Sequence, residues 1–114
     1  MLDSVLVVFG IAALGGVLLA LHVLRGKFAP WYLSIAHALL GATGLVLLAT
    51  LVVKGTGGTL AMGVLGLFVV AALGGFYLAF SHLRKELPSG WLVVLHASLA
   101  VIAFGGLVAV VLNG

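Results

Sequence analysis

Cysteine is absent from this 114-residue chain. Disulfides, thiolate metal sites, iron–sulfur clusters and covalently attached c-type haem are therefore excluded, and the redox compartment is left open by this route. Carboxylates are nearly absent too, Asp3 and Glu86 being the only two. No carboxylate cluster can hold a di-metal centre, and no carboxylate-oriented base stands beside the scattered serines and threonines. Nor does any glycine loop lead into the lysine and hydroxyl of a phosphate site. Hydrolytic and group-transfer chemistry find no support. Charged residues make up 6% of the chain against 65% hydrophobic, too few to cover a surface that faces water.

That composition calls for a bilayer. Uncharged stretches run over Ser4–Leu24, Phe28–Val53, Gly55–Leu83 and Leu87–Gly114, and a span needs about 20 predominantly apolar residues. They predict an all-α polytopic membrane protein with four transmembrane helices, at about 4–25, 31–53, 59–83 and 90–112. The first run lacks a basic flank ahead of it, so it reads as a retained helix and not as a secretory leader.

The cations are placed unevenly. Arg25, Lys27, Arg84 and Lys85 fall in the connections after the first and third helices, and only Lys54 lies in the other. By the positive-inside rule, the two basic connections are expected in the cytoplasm and both termini outside, in the cell's inner membrane. The net charge of +3 is explained by this topology and points to no nucleic acid. Trp31, Tyr32 and Trp91 open the second and fourth helices, where amphipathic rings suit the headgroup level.

The chain repeats itself. Ala12-Ala13-Leu14-Gly15-Gly16 recurs as Ala71-Ala72-Leu73-Gly74-Gly75, an offset of 59 that also carries Leu24-Arg25 onto Leu83-Arg84 and His37 onto His96. His22 and His82 are offset by 60, which turns one of them by about 100° on its helix relative to a strict repeat. A duplicated hairpin, with halves of about 1–55 and 56–114, predicts one transmembrane domain: an up-down-up-down bundle with the second and fourth helices diagonal. Abundant Gly and Ala suit close helix packing, within the chain or in a homo-oligomer.

All four histidines, His22, His37, His82 and His96, fall toward the helix ends that carry the basic connections, and a common level is expected for them. Ionisable side chains inside a membrane are costly and are functional candidates by default. Small residues stand on their faces at helical spacing: Gly15 seven before His22, Gly75 seven before His82, Gly41 and Gly44 four and seven after His37, and Ala100 and Ala103 likewise after His96. These rows are expected to keep space open beside each imidazole. A flat macrocycle standing in a bundle needs axial nitrogens from opposed helices and missing side chains along its edge. His37 and His96 are the candidate axial ligands, with Arg25, Lys27, Arg84 and Lys85 as candidate partners for its carboxylates. His22 and His82 are candidates for a second haem, for hydrogen bonds to the carboxylates, for proton relay to a quinone, or for plain interfacial hydrogen bonding.

With histidines in four consecutive spans and small residues at haem-packing spacing, the chain resembles the membrane-embedded b-type cytochromes, the four-helix class that includes cytochrome b561-like proteins and haem-bearing respiratory anchor subunits. The resemblance implies haem b, one or two per chain, and an oxidoreductase or electron-transfer role with a quinone or a partner subunit. In the b561-like proteins the two haems lie toward opposite faces, whereas the histidines here favour one side. Three rival readings are a small transporter, a zinc or copper site built from the histidines, and a structural subunit that binds nothing. The first lacks an embedded carboxylate, and the second leaves the glycine rows unexplained.

Overall fold

Each apolar run closes into one helix because nothing within it interrupts the backbone ladder. Both prolines, Pro30 and Pro88, fall in connections, where a missing N–H and a fixed φ do no harm. In the computed structural model, which describes residues 1–113, α1 spans Leu2–Leu24, α2 Trp31–Val53, α3 Gly58–Leu83 and α4 Gly90–Asn113. At about 1.5 Å per residue, helices of 23 to 26 residues exceed the roughly 30 Å of a hydrocarbon core. Their outer faces are apolar as well: Leu14, Val46, Leu73 and Val101 are each about two-thirds exposed. Helices that are apolar all round and uncovered outside belong in lipid. The chain is a multi-pass membrane protein.

The helices stop in a common way. After α1, Lys27 N–H donates to His22 C=O and Gly26 N–H to Val23 C=O, both at 2.9 Å. After α3, Glu86 N–H reaches Ser81 C=O and Lys85 N–H reaches His82 C=O, both at 3.0 Å. Such a double closure needs one residue in the left-handed region. Gly26 fills it at φ +72°, but in the second hairpin Lys85 takes the same place at φ +58°.

Four helices form a square in which α1 touches α2 and α4, and α3 touches α4 and α2, more extensively within each hairpin than between hairpins. The α1/α3 and α2/α4 pairs are diagonals. Ten residues make the contiguous buried core, among them Val5, Phe9, Leu48, Phe68, Ala103 and Leu107, and all ten lie in the half of the bundle that carries the termini. At its loop-side edge, the Phe9 and Phe68 rings stack across the α1/α3 diagonal with centroids 3.9 Å apart. Toward the basic loops the buried residues are only Ala12, Ala29, Ala71 and Val93. Large side chains fill one half, and the other half is left to small residues and imidazoles.

Candidate functional site: a histidine pair across the bundle diagonal

His37 and His96 are each the seventh residue of their helix, on α2 and α4. Their rings meet across the α2/α4 diagonal with centroids 6.4 Å apart and planes 88° from parallel. Each is held by its own hairpin. His37 Nδ1 donates to the Ala12 carbonyl on α1 over 2.7 Å, and His96 Nδ1 donates to the Ala71 carbonyl on α3 over the same distance. A carbonyl only accepts, so Nδ1 carries the proton and Nε2 keeps its lone pair. Neither Nε2 has a hydrogen-bond partner among the described residues, and neither is sealed from water-sized space. Both half-buried imidazoles therefore hold a free lone pair in the tautomer that a metal requires.

The four histidines do not share a level. Ala12 is the eleventh of 23 residues in α1, and Ala71 is the fourteenth of 26 in α3, so the His37 and His96 rings rest against the middles of these helices. His22 and His82 stand in the last turns of α1 and α3. The expectation of one depth fails because α1 and α3 run on beyond the starts of their partners: a Cβ on Gly15 would lie 3.7 Å from His37 Cβ. Nor do the outer two histidines resemble each other. His22 Nδ1 donates to the Leu18 carbonyl of its own helix over 2.7 Å. His82 stacks on Trp31 with centroids 3.9 Å apart, lies near Phe28 at 5.8 Å, and shares a 3.1 Å hydrogen bond between its Nδ1 and Ser34 Oγ. The one-residue slip in the repeat thus separates their surroundings, and His82 ties the two hairpins together.

The glycines serve other neighbours than the sequence spacing indicates. Gly15 and Gly75 belong not to open rows beside His22 and His82 but to the seats of His37 and His96. Every glycine of the two Gly-Gly steps, Gly15, Gly16, Gly74 and Gly75, lies against one of these imidazoles. A Cβ on Gly41 would meet no neighbour within 4 Å. Gly44 is not open: a Cβ there would meet the Phe9 ring at 2.7 Å. Its repeat counterpart Ala103 is fully buried in the core. The Phe9/Phe68 stack takes the space that the row was expected to leave.

Arg25 and Arg84 cap α1 and α3 from exposed positions. Arg84 Nε lies 3.5 Å from Glu86 Oε1, both side chains about 60% exposed, an ion pair of little energetic weight in water. Lys27 and Lys85 are exposed beside them. No three His, Asp or Glu side chains converge among the described residues, so the four-histidine zinc or copper centre is not assembled. Sequence reasoning missed the Ala12 and Ala71 carbonyls, Gly16, Gly74 and the phenylalanine stack. The signal was present, since Gly15/Gly74, Gly16/Gly75 and Phe9/Phe68 all keep the offset of 59. Comparison with known proteins finds no match to this chain: no family model, no curated protein and no solved structure is similar to it.

Proposed function

We propose that this chain is a membrane b-type cytochrome, holding one non-covalent haem b between His37 and His96 in the half of the bundle nearer the basic loops. The observation that carries this reading is the geometry of the pair. Two imidazoles on opposite sides of one metal, each bonded at about 2 Å, have ring centroids roughly 6 Å apart once the half-width of each ring is added. The observed separation is 6.4 Å. Both rings have the outer hydrogen bond, Nδ1–H to a backbone carbonyl, that typifies metal-ligating histidine. With only two protein ligands at hand, the metal has to bring the rest of its coordination sphere with it. A planar tetradentate macrocycle does so with four ring nitrogens, whereas a free zinc or copper ion would have to fill its remaining positions with water in an apolar surround.

When bound, haem supplies a one-electron iron couple, and the chain supplies ligation, orientation and an apolar surround. Arg25 and Arg84, with Lys27 and Lys85, offer guanidinium and ammonium groups to the carboxylate edge of the macrocycle. They stand at the end where positive-inside topology puts the cytoplasm. Electrons would be exchanged with a quinone in the bilayer or with a redox partner subunit. A small proton-coupled transporter is disfavoured because Asp3 and Glu86 sit at helix ends.

The test is a reduced-minus-oxidised visible spectrum of the detergent-purified protein with pyridine haemochrome quantification. One low-spin haem b per chain is expected, lost in His37→Ala and in His96→Ala. Full retention of haem by the double variant, or a flat spectrum after expression with ample haem, overturns the reading.

A further inference from the structure

The Ala-Ala-Leu-Gly-Gly sequence occurs once in α1 and once in α3, and each copy meets one histidine of the central pair in the same way. His37 Nδ1 reaches the carbonyl of Ala12, the first residue of its copy, and His96 Nδ1 reaches that of Ala71, both at 2.7 Å. In an α-helix that carbonyl already accepts from the N–H four residues on, here Gly16 or Gly75, the last residue of each copy. A carbonyl has a second lone pair, but the side chain at the fourth residue stands beside it and shields it from a sideways donor. Glycine removes that shield. The contacts agree: a Cβ on Gly16 would come within 2.9 Å of His37 Cε1, and one on Gly75 within 3.0 Å of His96 Cε1. The preceding glycines are less critical, because a Cβ on Gly15 or Gly74 would meet its nearest histidine atom at 3.7 Å, ordinary van der Waals contact.

We propose that these two sequences are imidazole seats, with Gly16 and Gly75 as the positioning residues that let a backbone carbonyl fix the tautomer and plane of His37 and His96. The seat joins sequence to chemistry in one step. Four residues separate the accepting carbonyl from the glycine that exposes it, so a single turn of helix supplies both the acceptor and the clearance. Two-fold repetition of the hairpin then delivers two identically prepared nitrogens to one level. The proposal rests on haem ligation for its consequence but not for its structure, since the seat is a property of the chain alone.

The experiment compares adjacent glycines within one motif. In haem-loaded protein, Gly16→Ala and Gly75→Ala are each expected to weaken haem binding roughly 10- to 100-fold, the usual effect of disturbing a ligand's outer hydrogen bond, and to alter the low-spin electron paramagnetic resonance signal. Gly15→Ala and Gly74→Ala, whose added methyl groups make only ordinary contact with the same histidines, are expected to weaken it by a clearly smaller factor. In haem-free protein with 15N-labelled histidine, His37 and His96 are expected as the Nδ1–H tautomer, with Gly16→Ala shifting only His37 and Gly75→Ala only His96. If Gly16→Ala does not accumulate as helical protein, Gly75→Ala is read alone with the same outcomes. Unchanged tautomers in the Gly16 and Gly75 variants, or equal damage from Gly15→Ala and Gly16→Ala, would overturn the seat. A parent protein that takes up no haem but shows the expected tautomer shifts would overturn the cytochrome reading and leave the seat standing.

Discussion

Phe9 and Phe68 lie face to face across the α1/α3 diagonal, with planes 3° from parallel. They are 59 positions apart, the spacing that also separates His37 from His96. Residues equivalent in the repeat therefore meet each other on both diagonals, as a two-fold axis running down the bundle would bring them together. Large rings close the axis on the terminal side, and imidazoles face each other above them. The division explains why a chain with 17 glycines still has an organised core: bulk is concentrated in the half that carries the termini.

The stack makes Gly44 and Gly41 opposites. A methyl group at Gly44 would press on the Phe9 ring at 2.7 Å, while one at Gly41 meets nothing within 4 Å. Gly44→Ala is expected to destabilise by about 1–3 kcal/mol through overpacking. Gly41→Ala should be neutral or stabilise by roughly 0.5–1 kcal/mol, because glycine is a poor helix former. Unfolding midpoints in a graded detergent series would check both, and equal effects would rule out the packing described for Phe9.

Lys85 occupies the left-handed position that glycine holds in the first hairpin. Its side chain is exposed and its N–H bond to His82 C=O is a backbone one, so the substitution Lys85→Gly keeps the closure and relieves the strain. A stabilisation of about 0.5–1 kcal/mol is expected. The mirror change, Gly26→Lys, should destabilise by a similar amount in the same assay.

His22 and His82 stand apart from the central pair and from each other. On the proposed cytochrome reading, haem content is expected to stay at one per chain in His22→Ala and in His82→Ala. The latter should nonetheless lower thermal stability, since it removes the Trp31 stack and the Ser34 hydrogen bond; the stack alone is worth about 0.5–1.5 kcal/mol beyond burial. A proportional loss of haem in both variants would instead indicate two haems.

On the proposed cytochrome reading, planes 88° apart would have an electronic consequence: each imidazole would act through its π system on a different iron d orbital, leaving the two orbitals nearly equal in energy. The oxidised protein is expected to show one broad low-field low-spin resonance at low temperature. Three well-separated features, the pattern of parallel imidazoles, would show that the rings reorient on binding.

How much of this was legible beforehand follows from the range of each interaction. Helix number, length and boundaries are local matters of unbroken hydropathy, loop prolines and loop charge, and the sequence alone determined them to within two residues: α2 was expected at 31–53 and spans Trp31–Val53, while α1 was expected at 4–25 and spans Leu2–Leu24. Duplication at an offset of 59 likewise made His37 and His96 equivalent before any packing was known. The relative slide of α1 and α2 was not legible, because almost any apolar surface can pack on another and the register is marked only by tertiary fits such as Phe9 against Gly44 and His37 against Ala12 and Gly16. That slide decided that Gly15 and Gly16 belong to His37 and not to His22. The seat's acceptor was hidden for a further reason: it is a backbone carbonyl, which every residue possesses, and only the tertiary approach of an imidazole to an uncovered turn of helix singles out Ala12 and Ala71.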